Sequence, residues 1–134
     1  MSKTDDCILC SIVAGTLSAR KVYEDDEFIG ILDATPCAEG HCLVVPKKHI
    51  DRFYDLDDDT TAHLFRVVNI VARKIKKAFS PDFVSIFIRG GRISHLHVAV
   101  FPSMQNDSLS GFPQSSMGEP EVDLDAVQAK LVDA

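Results

Sequence analysis

The chain has 134 residues, 46% of them hydrophobic and 25% charged, a length and balance that suit one globular domain and exclude a disordered chain. Its net charge of −6 excludes a nucleic-acid backbone or an anionic membrane surface as its main partner, while leaving room for a small anion held by backbone N–H groups and a few local cations. No apolar run approaches the ~18 residues of a membrane span, and the polar start Met1-Ser2-Lys3-Thr4-Asp5-Asp6 lacks the apolar centre of a secretion signal, so a cytoplasmic protein with reduced thiols is expected.

In chain order, Ile8 to Gly15 reads as a short apolar helix stopped by glycine. Lys21–Glu24 and Phe28–Leu32 are strand-like runs around the acidic turn Asp25-Asp26, a hairpin signal. ATPCAEG is a loop, and HCLVVPK is a β-rich run stopped by Pro46. Asp57-Asp58-Asp59-Thr60 offers N-caps and negative charge at a helix start. Leu64, Val67, Val68, Val71, Ile75 and Ala78 then recur at helical spacing up to Ser80-Pro81. Phe83–Ile88 predicts a strand, Arg89–Arg92 a tight turn, and Ile93–Phe101 the returning strand. Ser103–Asp123 reads as a loop and Leu124–Val132 as a short helix. Strands interrupted by one long helix point to an α+β fold with an antiparallel sheet.

Two features carry chemistry. In the predicted strand, His95 and His97 share a face, while Leu96, Val98 and Val100 point to the core. Neutral imidazoles so placed serve as metal ligands, bases or nucleophiles. Cys7-x-x-Cys10 is half of a tetrahedral metal site. Its completing ligands come from His41, His49, His63, His95 and His97, and pattern alone disfavours only His63, expected on the solvated side of the long helix. Two buried helix cysteines, or a redox pair, are the competing readings. Cys37 and Cys42 lack such spacing and read as small buried residues.

The stretches CILCSIVAGTLSARKVYEDDEFIGILDATPCAEGHCLVVPKKHI and ISHLHVAVFP resemble the histidine-triad (HIT) family of nucleotide hydrolases and transferases. CxxC, YEDD, LD-x-x-P, GH-x-LVVPK-x-H and HLHV-x-VFP follow the family's order over about the first hundred residues. The resemblance implies one α+β domain over residues 1–134. It would hold an antiparallel sheet of about five strands, one long helix and a short N-terminal helix. The core would span about 5–103, followed by a C-terminal arm over about 104–134, and two chains would join as a homodimer. It makes His97 the nucleophile toward the α-phosphorus of a nucleoside phosphoramidate, nucleotidyl adenylate or dinucleoside polyphosphate. It assigns structural Zn²⁺ to Cys7, Cys10, His49 and His95. Asp33 would bind ribose hydroxyls, although a turn cap is the plainer role for it. Leu9, Ile12, Ile31 and Ala34 would line the pocket for the base of a purine, AMP-like nucleotide, with His41 nearby. No organic cofactor is implied.

The family pattern breaks in two places. Ala99 stands where a third histidine belongs, and losing one donor at a reacting phosphate costs ~10²–10³ in rate. The turn before the motif is cut to Arg89-Gly90-Gly91-Arg92. Its Gly90 and Gly91 N–H groups could hold phosphate oxygens. Arg89 and Arg92 are either replacement charge for a phosphate or solubilising charges at a hairpin tip. Three functions compete on these grounds: a nucleotidyl hydrolase, a zinc-stabilised nucleotide binder of weak or no activity, and an interaction module with little nucleotide affinity.

Overall fold

A computed structural model of the chain describes residues 6–91, 93–105 and 122–134. Arg92 and most of the loop expected at Ser103–Asp123 fall outside those residues. The elements are α1 (Ile8–Ala14), β1 (Lys21–Glu24), β2 (Phe28–Leu32), β3 (Cys42–Pro46), α2 (Asp58–Phe79), β4 (Phe83–Phe87), β5 (Val98–Ser103) and α3 (Leu124–Asp133), with one 3-10 turn at Phe53–Asp55 before α2. The strands form one five-stranded sheet in the order β1-β2-β3-β5-β4, every neighbouring pair antiparallel. This is the α+β architecture that the spacing of apolar residues predicts. No helix among the described residues is long and apolar enough to cross a membrane.

Alternation along the strands divides the core in two. Phe28 and Leu32 of β2, Cys42 and Val44 of β3, and Val98 and Val100 of β5 enter the larger cluster. There they meet Leu64, Val67, Val68, Val71 and Ile75 of α2, and Val127 and Leu131 of α3. The Asp57 side chain caps α2 by accepting from Thr60 N–H at 2.7 Å. Gly30 lets α2 sit close to β2, since a Cβ there would come within 3.3 Å of the Val71 side chain. The residues in between, Ile29, Ile31 and Val45, face the opposite side and pack with Cys7 and Leu9 of the N-terminal segment. α1 therefore covers one face of the sheet while α2 and α3 cover the other. The helix near the C-terminus is tied in by Gln128 Nε2, which donates to the Lys21 carbonyl at 2.8 Å, and by an Arg20–Asp125 ion pair of 2.8 Å.

Two local expectations change. The returning strand is β5 at Val98–Ser103, not Ile93–Phe101, because Phe87 pairs with Ala99 and residues 93–97 lie outside the ladder. Pro46 at the end of β3 has no N–H to extend the pairing, and its carbonyl accepts from the His95 ring at 2.8 Å. Leu96 N–H goes instead to the Ile50 carbonyl at 2.7 Å.

The second change is His63, which is not on a solvated face. Its ring nitrogens lie 2.7 Å from Glu27 Oε2 and 2.8 Å from Asp25 Oδ2, edge-on to Phe28 at 4.7 Å between ring centroids. The imidazole clamps the β1–β2 turn to α2. Glu27 and Asp25 raise its pKa against a smaller opposing effect of burial. Burial alone would raise the Asp25 pKa, but hydrogen bonds from the Tyr23 hydroxyl, the Glu27 and Phe28 N–H groups and His63 outweigh it and bring it down to about 2. A histidine whose folded pKa is raised stabilises fully below its unfolded pKa, and the contribution fades as pH rises through the folded value. Denaturant melts of His63→Gln should accordingly show a deficit of about 1 kcal/mol at acid-side pH near the ordinary histidine pKa. The deficit should shrink clearly two or three pH units higher, and a pH-independent deficit would mean that the charge plays no part.

Candidate metal centre and nucleotide site

Three separated stretches meet beside α1. Cys7 stands at the N-cap of α1 and accepts from Cys10 N–H at 3.3 Å. Cys10 lies one turn on, His49 follows β3, and His95 precedes β5. Their four ligand atoms all lie within 4.8 Å of one another. Cys7 Sγ is 3.2 Å from His95 Nδ1, and Cys10 Sγ is 3.1 Å from His49 Nδ1 and 3.4 Å from His95 Nδ1. Tetrahedral bonds of ~2.3 Å to sulfur and ~2.0 Å to nitrogen separate such atoms by about 3.5 Å, so the spacing fits Zn²⁺.

The outer contacts fit as well. His49 Nε2 donates to Asp51 Oδ1 at 3.1 Å, and His95 Nε2 donates to the Pro46 carbonyl at 2.8 Å. Both tautomers are fixed with the Nδ1 lone pair turned inward, as metal-bound imidazoles require. His95 is fully buried, and burial holds its pKa below the ordinary value. Burial, then Cys7, pushes the Cys10 thiol up to about 11; a divalent cation is what makes both thiolates affordable in this setting. This Cys2His2 set is a structural zinc site, closed by four protein ligands. Of the five histidines the sequence offered as partners for the CxxC, the structure brings in His49 and His95 and leaves out His41, His63 and His97. Cys37 and Cys42 are buried as expected.

His97 faces away from the larger core, because its neighbours Leu96 and Val98 both enter that core. Its ring folds back on the chain: Nδ1 lies 2.8 Å from the His95 carbonyl. A carbonyl only accepts, so Nδ1 carries the proton and Nε2 keeps its lone pair. His95 and His97 are not on a strand, yet they serve adjacent sites, one ring toward the cysteines and the other toward a small cleft of ≈ 80 Å³ lined by Arg52, Phe53, Tyr54, Ile88, Arg89 and Gly90 among others. Gly90 has φ +75, which a side chain would strain, and Arg52 Nη1 lies 3.3 Å from where a Cβ would stand.

The pairing register orders the rest of that face. Ile31, Leu43 and Ala99 are direct neighbours across β2, β3 and β5. Two residues along one way come Asp33, His41 and Phe101, with Asp33 N–H donating to the His41 carbonyl at 3.0 Å and the His41 and Phe101 rings 5.6 Å apart. His97 lies two residues from Ala99 the other way. Leu9 and Ile12 of α1 share the apolar cluster with Ile31 and Leu43, Leu9 and Ile31 being buried there, whereas Ala34 is exposed in the loop after Asp33. Asp33 Oδ1 accepts from Thr35 N–H at 2.9 Å, as a turn cap does. Its Oδ2 lies 3.6 Å from His41 Nε2. That Nε2 is buried without a hydrogen-bond partner among the described residues, and Cys37 N–H donates to its Nδ1 at 3.1 Å. Burial lowers the His41 pKa against the pull of Asp33. Arg52 escaped the sequence reading, since nothing in the irregular stretch after Pro46 signals which side chains will turn toward His97.

Metal analysis of protein purified without chelators should find about one zinc per chain. Cys10→Ser should lose that zinc and melt roughly 5 °C or more below the parent. Equal melting temperatures with and without metal would remove zinc from the structural account.

Comparison with known proteins agrees with this geometry. The HIT domain profile matches residues 14–106. A relative, Protein hit of Bacillus subtilis, is 33% identical over 107 residues, covering 76% of this chain and 74% of its own. Adenosine 5'-monophosphoramidase hnt1 of Schizosaccharomyces pombe is 28% identical over 123 residues, covering 87% and 90%. A Zn-bound histidine triad family protein from Mycobacterium smegmatis superposes with a TM-score of 0.79 at 30% identity, over 97% of this chain and 93% of that one. With that match spanning more than half of the sequence, and with the fold, the Cys2His2 cluster and the His95–His97 pair in place, the chain belongs to the HIT domain family.

Proposed function

We propose that this protein is a nucleotide hydrolase or transferase that cleaves an α-phosphate bond of a nucleoside phosphoramidate, nucleotidyl adenylate or dinucleoside polyphosphate through a nucleotidyl-His97 intermediate. The observation that carries the reading is the His97 tautomer: Nδ1–H is held by the His95 carbonyl at 2.8 Å, so Nε2 is a free nucleophile at the edge of a cleft. The positive charge that develops on the ring during attack is shared with the same carbonyl. The name of the fission-yeast relative, a monophosphoramidase, supports the same chemistry.

The remaining residues divide the work. Asp33, at the far end of the face, accepts from the ribose hydroxyls of an AMP-like purine nucleotide, exchanging its Thr35 contact for them, with His41 beside it. Leu9, Ile12, Ile31 and Ala34 flank the base. The Gly90 and Gly91 N–H groups and the Arg92 guanidinium meet phosphate oxygens. Zinc on Cys7, Cys10, His49 and His95 supplies rigidity: it fixes His95, and so the carbonyl that orients His97. A homodimer fits edge strand β4, which exposes Phe83 and Ile86.

Ala99 supports a second reading, a zinc-stabilised nucleotide-binding protein with little turnover, because its methyl group donates nothing to a phosphate. Hydrolysis of adenosine 5'-phosphoramidate by the parent, His97→Ala and Ala99→His decides between them. The hydrolase reading expects parent turnover that drops by at least about 10⁴-fold in His97→Ala and rises up to about 10²-fold in Ala99→His. An inert parent that binds AMP, with activity appearing only in Ala99→His, would favour the binder. An inert parent without AMP affinity would overturn both.

A further inference from the structure

Asp33 and His41 face each other where the β2–β3 pair ends. The ladder closes with Leu32 opposite Cys42, and one residue further Asp33 N–H donates to the His41 carbonyl at 3.0 Å. Their side chains are therefore cross-strand neighbours on the face that carries Ile31, Leu43 and Ala99. Resting on the reading of Asp33 as the acceptor for ribose hydroxyls, we infer that His41 is a positioning residue for that carboxylate. Its Nε2–H is a donor held ready for Asp33 Oδ2, and the contact closes when a ribose draws Asp33 away from Thr35.

The His41 ring is fixed. Cys37 N–H donates to its Nδ1 at 3.1 Å, so Nδ1 carries no proton and Nε2 does. His41 N–H donates to the Ala38 carbonyl at 3.1 Å, and the Phe101 ring stands edge-on at 5.6 Å between centroids. Nε2 is the one buried side-chain nitrogen or oxygen among the described residues without a hydrogen-bond partner there. A buried donor without an acceptor is costly, and such groups are rare enough to mark a place that something else completes.

Asp33 is the member of the pair that can move. Its Oδ1 accepts from Thr35 N–H at 2.9 Å and from Thr35 Oγ1 at 3.2 Å, both in an exposed turn. Its Oδ2 stands 3.6 Å from His41 Nε2, just beyond hydrogen-bond reach. The Asp33 side chain is 23% exposed and that of His41 11%, so a ligand meets the carboxylate first. The β5 neighbours on this face, Ala99 and Phe101, offer Nε2 no side-chain acceptor. Burial lowers the His41 pKa against the pull of Asp33, so the ring donates as a neutral group.

A carboxylate has about four lone-pair directions. Giving one to Nε2–H sets the angle of the group, and the outward ones are left for two vicinal hydroxyls. Without that anchor Asp33 stays with Thr35, and nucleotides with and without ribose hydroxyls bind nearly alike. His41 thus supplies selectivity for an intact ribose without touching it.

The test is the ratio of calorimetric affinities for AMP and 2',3'-dideoxy-AMP in the parent, His41→Gln and His41→Asn. A glutamine amide reaches the position of Nε2 and an asparagine amide only that of Nδ1. His41→Asn therefore keeps the Cys37 contact, and His41→Gln keeps the one to Asp33. The inference expects the parent to prefer AMP about tenfold or more, His41→Gln to keep that preference and His41→Asn to cut it at least about threefold. A preference kept in both variants, lost only in His41→Gln, or lost in both assigns His41 to the loop and overturns the inference, while Asp33 remains the ribose acceptor. A parent without the preference, or without AMP affinity, fails the Asp33 reading first and the inference with it. Where a variant does not fold, proton NMR of the parent decides. AMP should move the His41 Nε2–H resonance downfield, as for a donor that gains a carboxylate, and 2',3'-dideoxy-AMP should leave it in place. A resonance that AMP does not move, or that both compounds move equally, overturns the inference.

Discussion

The arrangement turns on one point in space where two thiols and two imidazoles converge from positions 7, 10, 49 and 95. Each alone is an ordinary group; gathered within 4.8 Å of one another and largely out of water, they form a donor set that suits a cation. Everything near the proposed chemistry is referred to that point. Its His95 member sits in an irregular segment that the sheet does not hold, and the same residue's carbonyl fixes the ring of His97. One of the four donors thus sits two residues from the ring proposed to react.

Beyond this point the sheet acts as a ruler. Alternation sends Leu96, Val98 and Val100 into the main core and leaves His97, Ala99 and Phe101 on the face that α1 only partly covers. Register then sets Asp33 and His41 at one end of that face and His97 at the other. A seven-residue helix cannot be stable by itself; α1 holds because Leu9 is buried against Ile29, Ile31 and Val45 and because Cys7 at its cap and Cys10 within it contact His49 and His95 from later parts of the chain. Packing, metal and register therefore agree on a single placement of the two histidines.

Much of this was legible in the residues. Helical spacing from Leu64 to Ala78, the caps at Asp57 and Gly15, and the strand runs at 21–24 and 28–32 are local signals, and local signals survive folding. What was not legible was long-range. CxxC announced half a metal site, but closing it joins residues 88 apart, and spacing cannot select His49 and His95 from five histidines; only the family resemblance did. The strand expected from Ile93 failed because Pro46, on a different strand, has no N–H to offer and its carbonyl is taken by a ring. His63 looked solvated because helix periodicity sees only its own helix, not the acidic turn that folds over it. Arg52 was missed because an irregular loop carries no period that would reveal where its side chains turn.

The strand order has a consequence for how the chain is made. β3 occupies the middle of the sheet, but one of its two neighbours is β5, so Cys42 waits for Val100 before the centre closes. The metal donors wait about as long, since Cys7 and Cys10 are made well before His95. During synthesis the nascent chain carries two uncommitted thiols until the His95 segment is made. Closing the sheet and gathering the four donors are then both non-local events of the slow kind.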